Sequence, residues 1–578
     1  MPDDLKDVVD SRLKLWRWLV LGTVGILVVG LYFFQVVHTD KYVSLATRNR
    51  LRIIRFPPAR GEIFDRNGAA LALNEMTFNI MGYPLDLTRG DILDNFAGIL
   101  SKQGINTTSV ELLDNIKRQQ LAPYRVVTVA SNLAITQMAE IVSDPDFTPQ
   151  LFPMPVWRRI YPAGAFASLV TGYVGEISEN ELRQNLNKGY AGGDIMGKSG
   201  VERSYEDILR GTHGQEAIEV DARGRRVRSI ETKNSIPGER INLTLDLAAQ
   251  IEASRLLDEK GYRGAIVVMN VRDGAIIVLA STPAFDNNLL AWGISSQEWN
   301  ALITNPHKPM INRAISGAYP PASTFKALIA LAALSEQKIT PRTTVYCHGT
   351  HTVGGRDFRC WRRGGHGAVN VVSALQYSCD VYFYQIGLRL GIDTILKWTE
   401  LFGFGRTSGL DILGEVPGNA AGQVWKLDRL KQSWYPGDTA NYSIGQGFLT
   451  TTPLQVALLY AAIANGGYLV TPYIAEGYSK PPVNLNLNKE HLDLVHRALV
   501  AVVRSGTGTR AGIYGVEIAG KTGTAEVYNR EDNALFAAYA PAKEPVYVVF
   551  VMLEEIGLGG GRAAAPIAGQ LLAYLLNR

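Results

Sequence analysis

Residues Leu19–Val37 read LVLGTVGILVVGLYFFQVV, 19 positions with one Gln and no charge. No other stretch so narrows what the chain can be. As a helix this run spans the hydrocarbon core of a bilayer, where a backbone must satisfy its own hydrogen bonds. Trp16, Trp18, Tyr32 and Phe33 stand near its ends, where aromatic rings favour the membrane interface. A core helix of a soluble domain is usually shorter. No small-residue cleavage site follows, so the segment is expected to remain as an anchor. Flanking charge does not orient it: Lys6, Arg12, Lys14 and Arg17 precede it, while Lys41, Arg48, Arg50, Arg52 and Arg55 follow. Long domains translocate largely regardless of such charge.

The remainder is globular in character. The 578 residues are 46% hydrophobic and 19% charged, enough to bury the cores of two to four domains at about 150 residues each. A formal charge of +4 gives no ground for a nucleic-acid partner, which would need a concentrated basic face. Four spans are expected: a tail over 1–18, the membrane helix over 19–37, a mixed segment over 38–237 and a second domain over 238–578. Arg48–Arg60 ends in Phe56-Pro57-Pro58-Ala59-Arg60; tandem prolines hold such a chain extended, so a rigid exit from the membrane is predicted. Asp91–Gln103 and Leu133–Val142 have helical periodicity,. No nucleophile paired with a base occurs before about residue 235, and that segment reads as a scaffold.

Beyond Gly238, Ile241–Leu245 alternates as a strand and Asp246 is placed to cap a helix running to Lys260,. Gly264–Asn270 and Ala275–Ala280 are apolar strands joined by an Arg272-Asp273-Gly274 turn,. Leu535–Ala540, Val546–Leu553 and a helix over Ala564–Leu576 close the chain. Strands at both ends of a helical middle predict an α+β fold, an antiparallel sheet flanked by helices.

Chemistry concentrates at Ser323-Thr324-Phe325-Lys326. Phe325–Leu334 reads FKALIALAAL, and a helix apolar on every side is a buried one. Lys326 is its only charge, three residues after Ser323, which puts the two on one face. Burial disfavours an ammonium, and a neutral amine beside a hydroxyl activates it without histidine. Ser-x-x-Lys alone recurs by chance and also describes a helix with a snorkelling lysine. Its company is more specific: Ser378-Cys379-Asp380 follows, then Lys521-Thr522-Gly523-Thr524. Ser378 can relay a proton. Lys521 adds a second positive charge, and Gly520 and Gly523 permit close approach of a substrate backbone along a strand.

These three elements in this order resemble the class B penicillin-binding proteins. The resemblance extends along nearly the whole chain, through Arg60–Gly68 (RGEIFDRNG), Arg159–Gly164 (RIYPAG), Gly197–Glu202 (GKSGVE), Ser443–Gly447 (SIGQG) and Thr452–Gln455 (TPLQ). Ala322 and Asn533 depart from it, standing where the family often has Gly and commonly His. The resemblance implies an N-terminal transmembrane helix, an elongated pedestal and a penicillin-binding transpeptidase domain. It implies that Ser323 attacks a D-Ala–D-Ala stem peptide with Lys326 as base, Ser378, Asp380 and Lys521 completing the catalytic set. Thr522, Gly523 and Thr524 would bind the substrate carboxylate or that of a β-lactam. No catalytic cofactor is implied. Asp380, where division-type members usually carry Asn, points to the elongation type, a SEDS-family glycosyltransferase of the RodA kind as membrane partner, and a single-pass protein of the bacterial inner membrane with its catalytic domain outside. A β-lactamase would place an E-x-x-L-N segment after Ser378, and none is found; a membrane β-lactam sensor and a silent activator of the glycosyltransferase are the remaining alternatives.

Cys347, Cys360 and Cys379 all fall within 33 residues, with His366 among them. Three thiols cannot all pair internally. The spacing C-x12-C-x5-H-x12-C offers three thiolates and an imidazole, enough for a closed tetrahedral zinc site of structural type. A Cys347–Cys360 disulfide, free thiols, or substitution by His348 or His351 are the other arrangements open to it. Elongation-type relatives hold zinc in this region, and the resemblance places Cys379 and His366 there.

Overall fold

A computed structural model describes residues 3–42, 51–87, 91–119, 126–220 and 226–578. The first helix, α1 (Asp3–Tyr32), continues into a π-helical turn at Phe33–Val37. The most apolar 18-residue window within Val9–Val37 has a mean hydropathy of 2.2, and none of it is buried against the protein. Among the described residues it alone is long and apolar enough to cross a membrane. The uncharged, mostly apolar surface of Leu19–Val37, not buried against the protein, suits lipid as its solvent,.

The chain forms two compact units and passes between them repeatedly. One comprises Met1–Pro58, Thr77–Val156 and Thr212–Ile236. Here Leu51–Phe56 pairs antiparallel with Gly214–Val220, which pairs in turn with Arg226–Lys233. The predicted rigid exit is therefore, in part, a strand; Arg48–Arg50 lie outside the described residues. Helices Ile92–Lys102, Ser109–Arg118 and Ile135–Ser143 bury Phe96, Ile99, Leu112, Ile116, Met138 and Ile141 in one core. Thr108 and Glu111 close the second of these with a reciprocal capping box,.

The other unit comprises Ala59–Met76, Trp157–Gly211 and Pro237–Arg578. Within it, three short sequence motifs far apart in the chain meet in one buried ion cluster. Arg60 Nη2 lies 2.6 Å from Glu206 Oε2, and Arg159 Nε lies 2.7 Å from Glu202 Oε1. Arg60 also bonds the Glu202 carboxylate and its carbonyl oxygen. Tyr161 and Tyr190 hydroxyls donate to Glu202 and Glu206 at 3.2 and 2.7 Å. Burial pushes the Glu202 carboxyl up, but Arg159 and Arg60 outweigh it and hold it below the usual carboxylate value,.

Five strands make the central sheet of this unit: β1 (Gly264–Asn270), β2 (Ile276–Thr282), β3 (Ala519–Ala525), β4 (Asn533–Ala540) and β5 (Tyr547–Leu553). Their order is β2-β1-β5-β4-β3, every neighbouring pair antiparallel. The expected hairpin joins β1 and β2, with Gly274 at φ +86°. The helices that matter here are α2 (Leu247–Asp258), α3 (Lys326–Ser335), α4 (Asp380–Leu390), α5 (Pro453–Ala464) and α6 (Ala564–Leu576). Asp246 caps α2 as predicted, accepting from Ala249 N at 3.0 Å. Only Ile241–Asn242 of the expected strand before it is regular, pairing parallel with Ile63–Phe64.

Side-chain alternation along β1 divides the core. Ile266 and Val268 pack with α2 and α6, while Ala265, Val267 and Met269 face the cluster that holds α3, α4 and α5,. On α3, residues Lys326–Leu334 are all buried. Its four large aliphatics, Leu328, Ile329, Leu331 and Leu334, each contribute about 1.5–3 kcal/mol on burial. That offsets the cost of carrying one amine inside.

The ion cluster generates a prediction. Glu202→Gln leaves Arg159 buried without its carboxylate, a change that costs about 3–5 kcal/mol. Equilibrium urea denaturation checks it, and a loss below about 1 kcal/mol would mean the cluster is not structural.

Candidate active site

Ser323 lies in a 3₁₀ turn, Ala322–Phe325, that runs directly into α3 at Lys326. In a 3₁₀ turn residues three apart eclipse each other, which aligns Ser323 with Lys326 more closely than α-helical spacing would. Ser323 is half-buried and its neighbours Thr324 and Phe325 are fully enclosed. The turn is clamped from several sides. Tyr460 OH donates to Thr324 O at 2.8 Å, and Phe325 packs edge-on against Phe404 and Tyr442, both 6.0 Å away. Ala322 N donates to Gly445 O at 2.9 Å.

Ala322 sits at φ +49°, the left-handed region that glycine enters freely. The departure at this position thus has a physical reading: the turn requires a conformation for which Gly is the unstrained residue. Gly445, itself at φ +75°, has no room for a side chain, because a Cβ there would come within 2.2 Å of Ala322 O.

Lys326 is wholly buried, as predicted, but it is not an isolated amine. Its Nζ donates to Asp380 Oδ1 at 2.6 Å, to Ser378 O at 3.1 Å and to Ser378 Oγ at 3.3 Å. Burial and the Lys521 charge were the expected influences on its reactivity; the direct contact with the Asp380 carboxylate is one that sequence spacing did not show. Asp380 is the first residue of α4, and its Oδ2 accepts from Trp361 N at 3.0 Å. Ser378 precedes α4 with φ +54°, a strained conformation held by its surroundings.

Lys521, Thr522, Gly523 and Thr524 lie on β3, the sheet's edge strand, in register with Ala534–Ala537 of β4. The Lys521 side chain is fully buried and its Nζ donates to Thr522 O at 3.1 Å. Burial first, and repulsion from Lys326 second, push this amine well below the ordinary lysine value, against an opposing pull from Asp380,. A Cβ on Gly523 would stand 3.2 Å from Thr324 Cγ2 and 3.4 Å from Pro321 O. The edge strand therefore runs beside the Ser323 turn, and glycine lets it do so. Thr522 Oγ1 is 2.7 Å from Thr507 Oγ1, whereas Thr524 is exposed.

Three contributors escaped sequence reasoning. Gln446 Nε2 donates to Thr524 O at 3.4 Å and so touches β3; the SIGQG match marked it without a role. The Trp361 N–H and the Tyr460 hydroxyl had no signal at all, since both act through distant backbone or carboxylate partners. Asn533, the other departure, is buried and accepts from Glu555 N at 2.9 Å, tying the start of β4 to the chain beyond β5.

The four predicted metal ligands come together. One ligand atom from each of Cys347, Cys360, His366 and Cys379 lies within 4.8 Å of every other. His366 Nδ1 is 3.8 Å from Cys347 Sγ and 3.5 Å from Cys360 Sγ, close to the edges of about 3.5–3.8 Å that Zn–S and Zn–N bonds of about 2.3 and 2.0 Å impose on a tetrahedron. The cysteines are free and buried, so no Cys347–Cys360 disulfide forms, and neither His348 nor His351 belongs to the cluster. A hydrogen bond with Cys379 pulls the Cys360 thiol down, and the same contact, with burial, pushes Cys379 up. His366 Nε2 is buried without a partner.

A strained turn bearing a serine, a buried lysine–serine–aspartate contact one turn away and an adjacent edge strand define a serine acyl-transfer site with lysine in the place of histidine. Comparison with known proteins gives the family. The penicillin binding protein transpeptidase domain matches residues 264–573 and the penicillin-binding protein dimerisation domain matches 55–243. A peptidoglycan D,D-transpeptidase MrdA from Haemophilus influenzae is 34% identical, over 97% of this chain and 90% of its own. A PBP2 from Helicobacter pylori, solved in complex with MreC, superposes with a TM-score of 0.82 at 31% identity, covering 91% of this chain and 99% of that one. A chain from a peptidoglycan synthase complex that coordinates polymerization and crosslinking gives 0.73 at 26% identity, over 97% of this chain and 98% of its own. The chain belongs to the class B penicillin-binding proteins, with their dimerisation and transpeptidase domains.

Lys521 yields a prediction with a definite sign. Its native proton affinity is depressed, so between the native and unfolded pKa values the unfolded chain binds more protons, and stability rises with pH. Lys521→Met is expected to remove that slope and to stabilise the fold at pH 7 by about 1–3 kcal/mol. Urea denaturation at pH 7 and pH 9 measures both; an unchanged slope would contradict the burial argument.

Proposed function

We propose that the chain is a peptidoglycan D,D-transpeptidase of the elongation type, working through a serine acyl-enzyme. The observation that carries this reading is the buried contact of Lys326 with Ser378 and Asp380, one turn from Ser323 and beside an edge strand. In the proposed reaction Ser323 Oγ attacks the carbonyl carbon of the penultimate D-Ala, and Lys326 takes the hydroxyl proton. The ammonium so formed is stabilised by Asp380 at 2.6 Å,. The backbone N–H groups of Ser323 and Thr524 receive the oxyanion charge. Ser378 relays the proton to the leaving amine, the C–N bond breaks and D-alanine departs. A second stem peptide's amine then attacks the ester, giving the cross-link and restoring Ser323. Thr522, Gly523 and Thr524 on β3 hold the donor as an added strand and bind its terminal carboxylate, with Lys521 buried on the same strand,. A β-lactam enters by the same route and acylates Ser323.

The proposed division is a cytoplasmic tail over 1–18, a membrane span over 19–37, a pedestal over 38–237 and a transpeptidase domain over 238–578. The apolar N-terminal helix and the two family matches support it. The protein would be a single-pass protein of the bacterial inner membrane with its catalytic domain on the outer side, where stem peptides are. The relatives' company, MreC in one complex and a synthase assembly in another, supports membrane partners and, with Asp380, a RodA-like SEDS glycosyltransferase.

Cys347, Cys360, His366 and Cys379 fit zinc by distance and donor chemistry, and would hold it as a closed structural site. Bound there, the ion would leave no position for substrate and would pin the Ser378–Asp380 turn against the preceding loop. The chemistry remains with the chain's own residues.

Intact mass and peptide mapping after penicillin treatment test the assignment. One adduct on Ser323 is expected, absent in Ser323→Ala; rapid turnover of that adduct would mean a β-lactamase, and cross-linking retained in Ser323→Ala would refute the enzymatic role. Gly445→Ala, which displaces Ala322, is expected to slow acylation about 100-fold. Metal analysis is expected to find one zinc per chain, lost in Cys379→Ala; a zinc-free preparation that melts at the same temperature as the zinc-loaded protein would remove the metal from the account.

A further inference from the structure

The eight residues Arg356–Arg363 hold four arginines against one acid, Asp357. Arg356, Arg359, Arg362 and Arg363 are all exposed. Among the described residues no carboxylate lies within ion-pair distance of any of them, and Asp357 accepts instead from Thr352 Oγ1 at 2.7 Å. Three other exposed arginines of the same unit have carboxylate partners: Arg255 with Glu252, Arg530 with Glu555 and Arg578 with Asp246. The charge of this segment is left open.

Its backbone is nevertheless fixed. Arg359 O accepts from Tyr384 OH at 3.1 Å, Cys360 N donates to Gly349 O at 2.8 Å, and Trp361 N donates to Asp380 Oδ2 at 3.0 Å. The Trp361 indole N–H is anchored on Tyr377 O, yet the residue remains 60% exposed. A single carboxylate, that of Asp380, separates this segment from the Lys326 amine. Four exposed guanidinium groups are thus carried on an anchored scaffold whose Trp361 N–H shares the Asp380 carboxylate, at the start of α4, with the Lys326 amine.

We propose that this segment is the acceptor subsite, and that it takes a peptide amine whose chain bears free carboxylates, an acidic stem peptide. The proposal rests on the transpeptidase reading and adds the second substrate to it. Arginine's planar fork pairs with carboxylates in a bidentate way, and the fixed backbone lowers the ordering cost of making those pairs. The positive field has a further use. An amine must be neutral to attack the acyl-enzyme, and nearby cations disfavour its protonated form. The arginines therefore draw in the peptide's carboxylates while favouring loss of the proton from its amine. The step itself is aminolysis: the amine nitrogen bonds to the acyl carbon, the Ser323 ester bond breaks, and the amine's proton returns to Ser323 Oγ.

The test uses the full chain in detergent with a thioester acyl donor and two acceptors, an acidic tripeptide amine and its carboxamide form. The acidic acceptor is expected to have a KM about tenfold lower, an advantage that shrinks with added salt. The double variant R362Q/R363Q is expected to abolish the discrimination and R362K/R363K to keep part of it. Equal use of the two acceptors by the unmodified chain, or discrimination intact in R362Q/R363Q, overturns the proposal. Thioester hydrolysis and penicillin acylation need no acceptor and report on the donor half alone. If the unmodified chain fails those, the transpeptidase reading falls; if it passes them but shows no acceptor discrimination, only the subsite falls. Should the double variant lose acylation, R362Q and R363Q singly replace it, each expected to reduce the preference, and an undiminished preference in both overturns the proposal.

Discussion

The contact between the Lys326 amine and the Asp380 carboxylate, sealed inside the protein, is the one around which the catalytic unit is organised. An amine buried without a partner would be expensive, so α3 carries it only because α4 brings a carboxylate to 2.6 Å. That requirement fixes much else. Asp380 must be the first residue of α4, which places Ser378 in a strained turn just before it. The second carboxylate oxygen then captures the Trp361 N–H and draws in the cysteine-bearing loop. Ser323, Ser378, Trp361 and the metal-type cluster are thus coupled through one side chain.

A similar economy governs the region that the family model assigns to dimerisation. Arg60, Arg159 and Glu202 come from three motifs that look unrelated along the chain, and their burial together explains why each is charged. Removing one would strand the others without compensation, which is dearer than never having buried them. These segments belong to the same compact unit as the transpeptidase sheet.

Much of this was legible in advance where local chemistry decides. The apolar run over Leu19–Val37, the β1–β2 hairpin, the Asp246 cap and the buried α3 all follow from periodicity and turn residues. The Ser323, Ser378 and Lys521 motifs were recognisable because short spacing carries their relation. The strand at Leu51–Phe56 was missed because pairing with Gly214–Val220 is a contact across more than 150 residues, and prolines nearby suggested an unpaired exit. Gln446, Tyr460 and the Trp361 N–H were missed for a related reason: each works through a partner chosen by packing. The strain at Ala322 was visible only as a departure from pattern until φ gave it a cause.

The Ser323-Thr324-Phe325-Lys326 stretch, its two companion motifs and the anchor were determined by the sequence alone, since residue type and near-neighbour spacing suffice for a buried helix, a nucleophile and a membrane span. What only the tertiary structure decided is how those pieces are charged and held. Lys326 rests against a carboxylate and is not bare, burial and a neighbouring amine push Lys521 downward, and the four arginines between 356 and 363 are left without ion-pair partners. Coulomb energies depend on distance and dielectric, and both are set by which distant segments pack together.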